Sequence, residues 1–178
     1  MDPGAQLVDV IDEHGAVVAV VTRAQMRAEA LPHRTVFIAV LDGEDQVIVH
    51  QRADWKDVWP SRWDVCFGGV VDAGETWRAA AVRELAEEAG VVVEPVDLRY
   101  LWHGWFHASG PAVSLSEEVH ELGHVFLVRH DGPFTCPDGE VQAVDRVPLI
   151  DLGTWLDDHD VVDDSLALVV PSLIGTKG

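Results

Sequence analysis

The chain is short of positive charge, short of sulfur and without a long apolar run. Among 178 residues, twelve Lys and Arg stand against thirty-one Asp and Glu, a formal charge of -19. That balance repels the phosphate backbone of nucleic acid, so nucleic acid is not an expected partner. It repels small anions too. An acidic protein that handles phosphates therefore needs a local reversal of sign, and a bound divalent cation is the simplest source of one. Two cysteines, Cys66 and Cys136, are too few and too far apart for a disulfide framework or a four-thiolate zinc site, and are expected as small buried or half-buried side chains. No apolar stretch reaches the roughly eighteen residues of a membrane span. The opening residues, Met1 to Gln6, lack the basic cluster and apolar run of a secretory signal, so a cytoplasmic protein with no membrane partner is expected. Neither repeats nor a Pro/Ser-rich linker divide the chain, and 48% apolar content suits one domain over residues 1–178.

What is present reads as alternating strands and helices. Residues 7–11 and 16–21 flank Asp12-Glu13-His14-Gly15 and predict an N-terminal hairpin. A short helix is expected from Arg23 to Ala30, ahead of Pro32. The β-branched runs 35–41 and 46–51, separated by Asp42-Gly43-Glu44-Asp45, predict a second hairpin. The segment from Asp54 to Trp63 carries three tryptophans and Pro60, a loop whose large side chains pack over the core or line a pocket. A strand over 65–71 is expected to be interrupted at Gly68-Gly69, and a helix over 75–89 to stop at Gly90. Strands over 98–106, 121–130 and 140–148 and weaker helices over 154–159 and 165–174 complete an α/β or α+β domain.

The helix over 75–89 carries the chemistry. At about 100° per residue, Glu87 and Glu88 lie roughly 60° to one side and 40° to the other of Glu84, so the three acids share a face. Ala81, Val82, Leu85 and Ala89 form the adjoining face, which can be buried. Like charges at i and i+4 cost a few tenths of a kcal/mol, and a hard divalent cation would turn that repulsion into ligation. The same acids also suit an ordinary solvated helix. What separates the readings is upstream, where Gly68 and Gly69 let the backbone approach a phosphate or offer a carbonyl to a metal.

In full, the pattern is Gly69, five residues, Glu75, seven residues, Arg83-Glu84, Leu85, Ala86, Glu87-Glu88, Ala89, Gly90, Val91. It resembles the Nudix box at every defining position. The resemblance implies a Nudix fold, a mixed sheet sandwiched between helices, and a hydrolase that cleaves a nucleoside diphosphate derivative or similar small phosphorylated metabolite by attack of water on phosphorus. It implies Mg2+ or Mn2+ as cofactor. Glu84, Glu87, Glu88 and the Gly68 carbonyl would ligate it, and Arg83 would orient a neighbouring carboxylate. Glu75, near the helix start, is read as structural, since a carboxylate there satisfies free N–H groups. A homodimer is common in the family and is carried as an expectation.

Outside the box the chain is similar to a subgroup that includes the isopentenyl-diphosphate isomerases, through Leu31-Pro32-His33-Arg34, Gln51-Arg52 and Trp59-Pro60-Ser61-Arg62-Trp63. Isomerases carry a catalytic cysteine and a metal histidine where this chain has Gly68 and Val70, which favours hydrolysis. Cys66 is expected to face away from position 68. A nucleotide-sensing module without turnover is the remaining alternative, although the acids are intact and no DNA-binding segment is evident. Arg52 and Arg62 are candidate phosphate ligands, with surface ion pairing as the competing reading. Glu117, Glu118 and above all Glu121 are candidates for an extra metal ligand or general base. His103, His107, His120 and His124 do not have the spacing of a tetrahedral zinc site, and the acids from Asp151 to Asp164 read as a solvated face.

Overall fold

A computed structural model describes residues 3–56, 58–108 and 119–175. Its centre is strand β3 (His33–Leu41), whose run of Val, Phe, Ile, Ala, Val and Leu has no polar face to offer solvent. Such a run is stable only when both faces are covered, and both are. Phe37, Ala39 and Leu41 join Val125, Leu127, Leu152, Val161, Leu168 and Leu173 on one side. Val36, Ile38 and Val40 join Phe126, Val128, Ala80, Ala81, Leu85 and Ala89 on the other.

Nine strands among the described residues form one mixed sheet. Ahead of β3 lie β1 (Leu7–Ile11) and β2 (Val17–Thr22), paired antiparallel as the expected hairpin, and helix α1 (Arg23–Ala28). After it come β4 (Gln46–Arg52), β5 (Trp63–Asp64) and β6 (Phe67–Val70), then helix α2 (Trp77–Glu84). The last third supplies β7 (Arg99–Ala108), β8 (Val119–Arg129), β9 (Val141–Pro148), α3 (Leu152–Asp157) and α4 (Val170–Ile174). Helices cover both faces, as expected of a mixed sheet between helices.

Three local expectations change. The runs 33–41 and 46–52 are joined by a turn, yet β3 and β4 pair only at Leu41 and Val47. Beyond that point β3 takes β8 as a parallel neighbour over nine residue pairs, from His33 opposite Glu121 to Leu41 opposite Arg129, and β4 takes β9. Burying both faces of β3 outweighs the local hairpin. Gly68 and Gly69 do not interrupt a strand but lie inside β6, opposite Phe37 and Val36. A Cβ on Gly68 would lie 2.0 Å from the Val36 carbonyl oxygen, so only glycine lets β6 come this close. Finally, α2 starts at Trp77 with Thr76 accepting the Ala79 N–H, and its last turn, Leu85–Ala89, is π-helical before Gly90 ends it at φ 70°.

Candidate active site

Strand β3 sits between β6 and β8 at its N-terminal half, and this places Thr35, Val70 and Gly123 on one level and His33 and Glu121 on the next. A cavity of about 350 Å³ opens here. Strand ends supply its floor (Thr35, Cys66, Gly68, Gly69, Glu121), α1 one wall and the loop after β4 another.

The acids of α2 stand behind Gly68 and Gly69. Anchored by buried Ala80, Ala81, Leu85 and Ala89, the helix turns Glu84 and Glu88 inward, at 7% and 6% exposure, and leaves Glu87 exposed. The three share a side of the helix but not an environment. Glu84 lies directly against Gly69, where a Cβ would meet its carboxylate at 2.7 Å. Glu88 accepts the Gly68 N–H at 2.9 Å. Arg83 ties the group together: Nη1 donates to Glu84 at 2.6 Å and to Glu87 at 3.1 Å, while Nε and Nη2 donate to Glu75 at 3.2 and 2.9 Å. Glu75 also accepts the Asp72 N–H, so it braces the loop into α2.

Burial raises the pKa of Glu84, and burial together with the Glu84 charge pushes Glu88 up to about 8. Around the two cations Arg83 and Lys56 stand five glutamates, Glu75, Glu84, Glu87, Glu88 and Glu140. Lys56 Nζ lies 4.0 Å from Glu88 and is hydrogen-bonded to Glu140. Glu88, Asp138 and Glu140 each offer an oxygen within 4.8 Å of one another. Hard oxygen donors with excess charge fit a divalent cation of the Mg2+ or Mn2+ type.

The other candidates separate. Glu121 is buried on the cavity floor, where Oε2 accepts the Thr35 hydroxyl at 2.9 Å and Oε1 has no partner. Burial pushes it up to about 7, and pushes His33, 3.9 Å away, down to about 4, so both neutral forms are favoured. Arg52 lines the cavity, with Nη2 on the Val58 carbonyl and Nη1 3.7 Å from Asp64. Arg62 lies outside that lining: it donates to the Val161 carbonyl, and Asp160 and Asp163 hold it at 2.9 Å. Those two aspartates are therefore paired, and Asp164 lines the cavity, which corrects the expectation of a uniformly solvated acidic face. Glu117 and Glu118 fall outside the described residues.

Cys66 also needs correction. It and Gly68 are two residues apart, so strand alternation puts them on one face, and both line the cavity. Its thiol lies 3.3 Å from both Asp64 and Ser165, and burial raises its pKa. Trp59, from the tryptophan-rich loop expected to pack over the core or line a pocket, does both: it is buried and lines the cavity, with a left-handed φ of 50° that no composition signal announces. One group of cavity residues was missed in the sequence. Arg23, Arg27 and Lys56 join Arg52 around the same cavity. The signal available was the four-residue spacing of Arg23 and Arg27. The lining carries four basic residues with four acids, where the whole chain has twelve against thirty-one.

A NUDIX domain model matches residues 31–167. An uncharacterised Nudix hydrolase of Yersinia pestis is 36% identical over 138 residues, covering 77% of this chain and 70% of that protein. The uncharacterised Nudix hydrolase YfcD of Escherichia coli K12 is 34% identical over 137 residues, covering 77% and 71%. Among solved structures, DR0079 of Deinococcus radiodurans superposes with a TM-score of 0.71 at 23% identity, over 93% of this chain and 97% of that one. The NUDIX domain of Shewanella oneidensis NrtR, solved with ADP ribose, gives 0.59 at 18% identity over 85% and 96%. At these identities the two structures show the fold.

Proposed function

The chain belongs to the Nudix family and is a hydrolase of pyrophosphate bonds, and on that premise we propose that it splits the diphosphate linkage of a nucleoside diphosphate derivative or similar small phosphorylated metabolite. One observation carries the reading. Two buried carboxylates, Glu84 and Glu88, are packed against the Gly68-Gly69 backbone at the edge of a cavity enriched in basic residues. Glu84, Glu87 and Glu88 would hold Mg2+ or Mn2+, with the Gly68 carbonyl as a further donor. The cation, when bound, neutralises phosphate charge and lowers the pKa of water.

The remaining work belongs to the chain. Arg83 donates to both Glu84 and Glu87, so it would hold these two proposed ligands relative to each other. Arg52 offers a guanidinium to a phosphate. Glu121, with Oε1 unpartnered and its pKa pushed up to about 7, would exchange a proton at Oε1 near neutral pH, as acid or as base. The ADP ribose bound by the Shewanella domain makes that compound the first substrate to try.

The test is turnover of ADP ribose, nucleoside diphosphate sugars and prenyl diphosphates in H2 18O with Mg2+, read by 31P NMR. Label entering a phosphate product is the expected result. Rearranged prenyl diphosphate without phosphate release would return the isomerase reading, and no turnover of any compound would leave the binding module.

A further inference from the structure

The acids of α2 have a counterpart across the cavity that the box does not include. Helix α1 is seated by Met26, which is 2% exposed and packs with Val8 and Val70, the residue that follows Gly68-Gly69 in β6. Thr22 caps the helix by accepting the Gln25 N–H at 3.1 Å. With the helix fixed this way, Arg23 and Arg27, one turn apart, both line the cavity. Arg23 lies within electrostatic reach of Glu84 and Glu140, and Arg27 of Glu121 and His33. The pair therefore spans the opening from the box acids to the floor. Two guanidiniums at i and i+4 repel each other. A phosphate seated between them would accept hydrogen bonds from both.

We propose that Arg23 and Arg27 form a second, metal-independent anion subsite that holds the phosphate of a diphosphate ester farther from the acids of α2. The identity of the ligand rests on the hydrolase reading; its binding does not depend on turnover. Division of labour would follow: the acids of α2 would hold the cation that neutralises one phosphate, and arginines whose charge does not depend on pH or metal would hold the other. A phosphate monoester product would stay on α1 after the anhydride is cut, so product inhibition is expected.

The experiment is calorimetric titration of the full chain with inorganic pyrophosphate in excess chelator. Wild type is expected to bind saturably. Arg23→Gln/Arg27→Gln should weaken binding about tenfold or more, the scale of lost charged hydrogen bonds. Arg23→Lys/Arg27→Lys should keep most of it. Arg129→Gln/Arg146→Gln removes the same charge from residues outside the cavity lining and should leave affinity within about twofold. Because Arg23 also donates to Gln6 at 3.1 Å, Arg27→Gln alone gives the same direction at smaller amplitude without that contact. Absence of saturable binding to wild type, equal affinity in the Gln pair, or equal loss in the Arg129/Arg146 pair would overturn the subsite. Intact binding with no phosphate release under Mg2+ would instead sink the hydrolase reading alone.

Discussion

The two walls of the cavity are built differently. On the acidic wall, side chains press directly on backbone: Glu84 against Gly69, Glu88 on the Gly68 N–H, with Arg83 locking Glu75, Glu84 and Glu87. On the basic wall the side chains come from three separate elements: Arg23 and Arg27 from a six-residue helix, Arg52 from the end of β4 and Lys56 from the loop after it. A site that must place a metal needs the first kind of wall. One that must only attract an anion can use the second.

Substitutions on the acidic wall should therefore act hardest. Gly68→Ala drives a Cβ into the main chain of the central strand, so a loss of about 3 kcal/mol or more is expected in denaturant unfolding. Gly69→Ala meets only the end of Glu84 at 2.7 Å, and should cost about 1 kcal/mol while displacing the carboxylate and lowering turnover sharply. Equal stability of the two variants would break the comparison. Glu87→Gln, on an exposed side chain, should leave the unfolding midpoint unchanged yet lower kcat between about ten- and a hundredfold. A fall in KM alone would place Glu87 outside the chemistry.

A pH-dependent effect comes from β4, the strand that ends in Arg52. Buried His50 stacks on Phe67 at 4.6 Å, and burial pushes its pKa down to about 4 from 6.5. The folded state resists the proton that the unfolded chain accepts, so this contribution to stability is complete above about pH 6.5 and is lost as pH falls toward 4. The difference in unfolding free energy between wild type and His50→Phe should grow by on the order of 3 kcal/mol across that window. A difference independent of pH would contradict the assignment. The smallest effect is expected outside the cavity: Arg62→Gln should cost no more than about 1 kcal/mol, since its aspartates are partly exposed, and leave KM unchanged.

The same contrast explains what could be read from the sequence. The acidic wall lies in one stretch, Gly68 to Val91, and a helix converts its spacing into geometry, so the box acids, Arg83, Glu75 and the stop at Gly90 were legible. The π-helical turn was not, because its wider bonding leaves no mark on residue spacing. The basic wall is assembled from residues 23–27 and 52–59, which meet only because β3 abandons β4 for β8 and β6. Alternation along a strand shows which face is apolar but never names the neighbour. Glu121 was visible as an acid on a strand, but its partner Thr35 is 86 residues away. Arg62 stayed open between phosphate ligand and ion pair for the same reason, since Asp160 and Asp163 reach it from the far end of the chain.

The most direct test of the central claim is Mn2+ titration followed by electron paramagnetic resonance, comparing wild type with Glu84→Gln/Glu88→Gln. The account predicts one class of tightly held Mn2+ in wild type that disappears in the double variant while the fold persists. Retention of that signal at wild-type affinity in the double variant would contradict it.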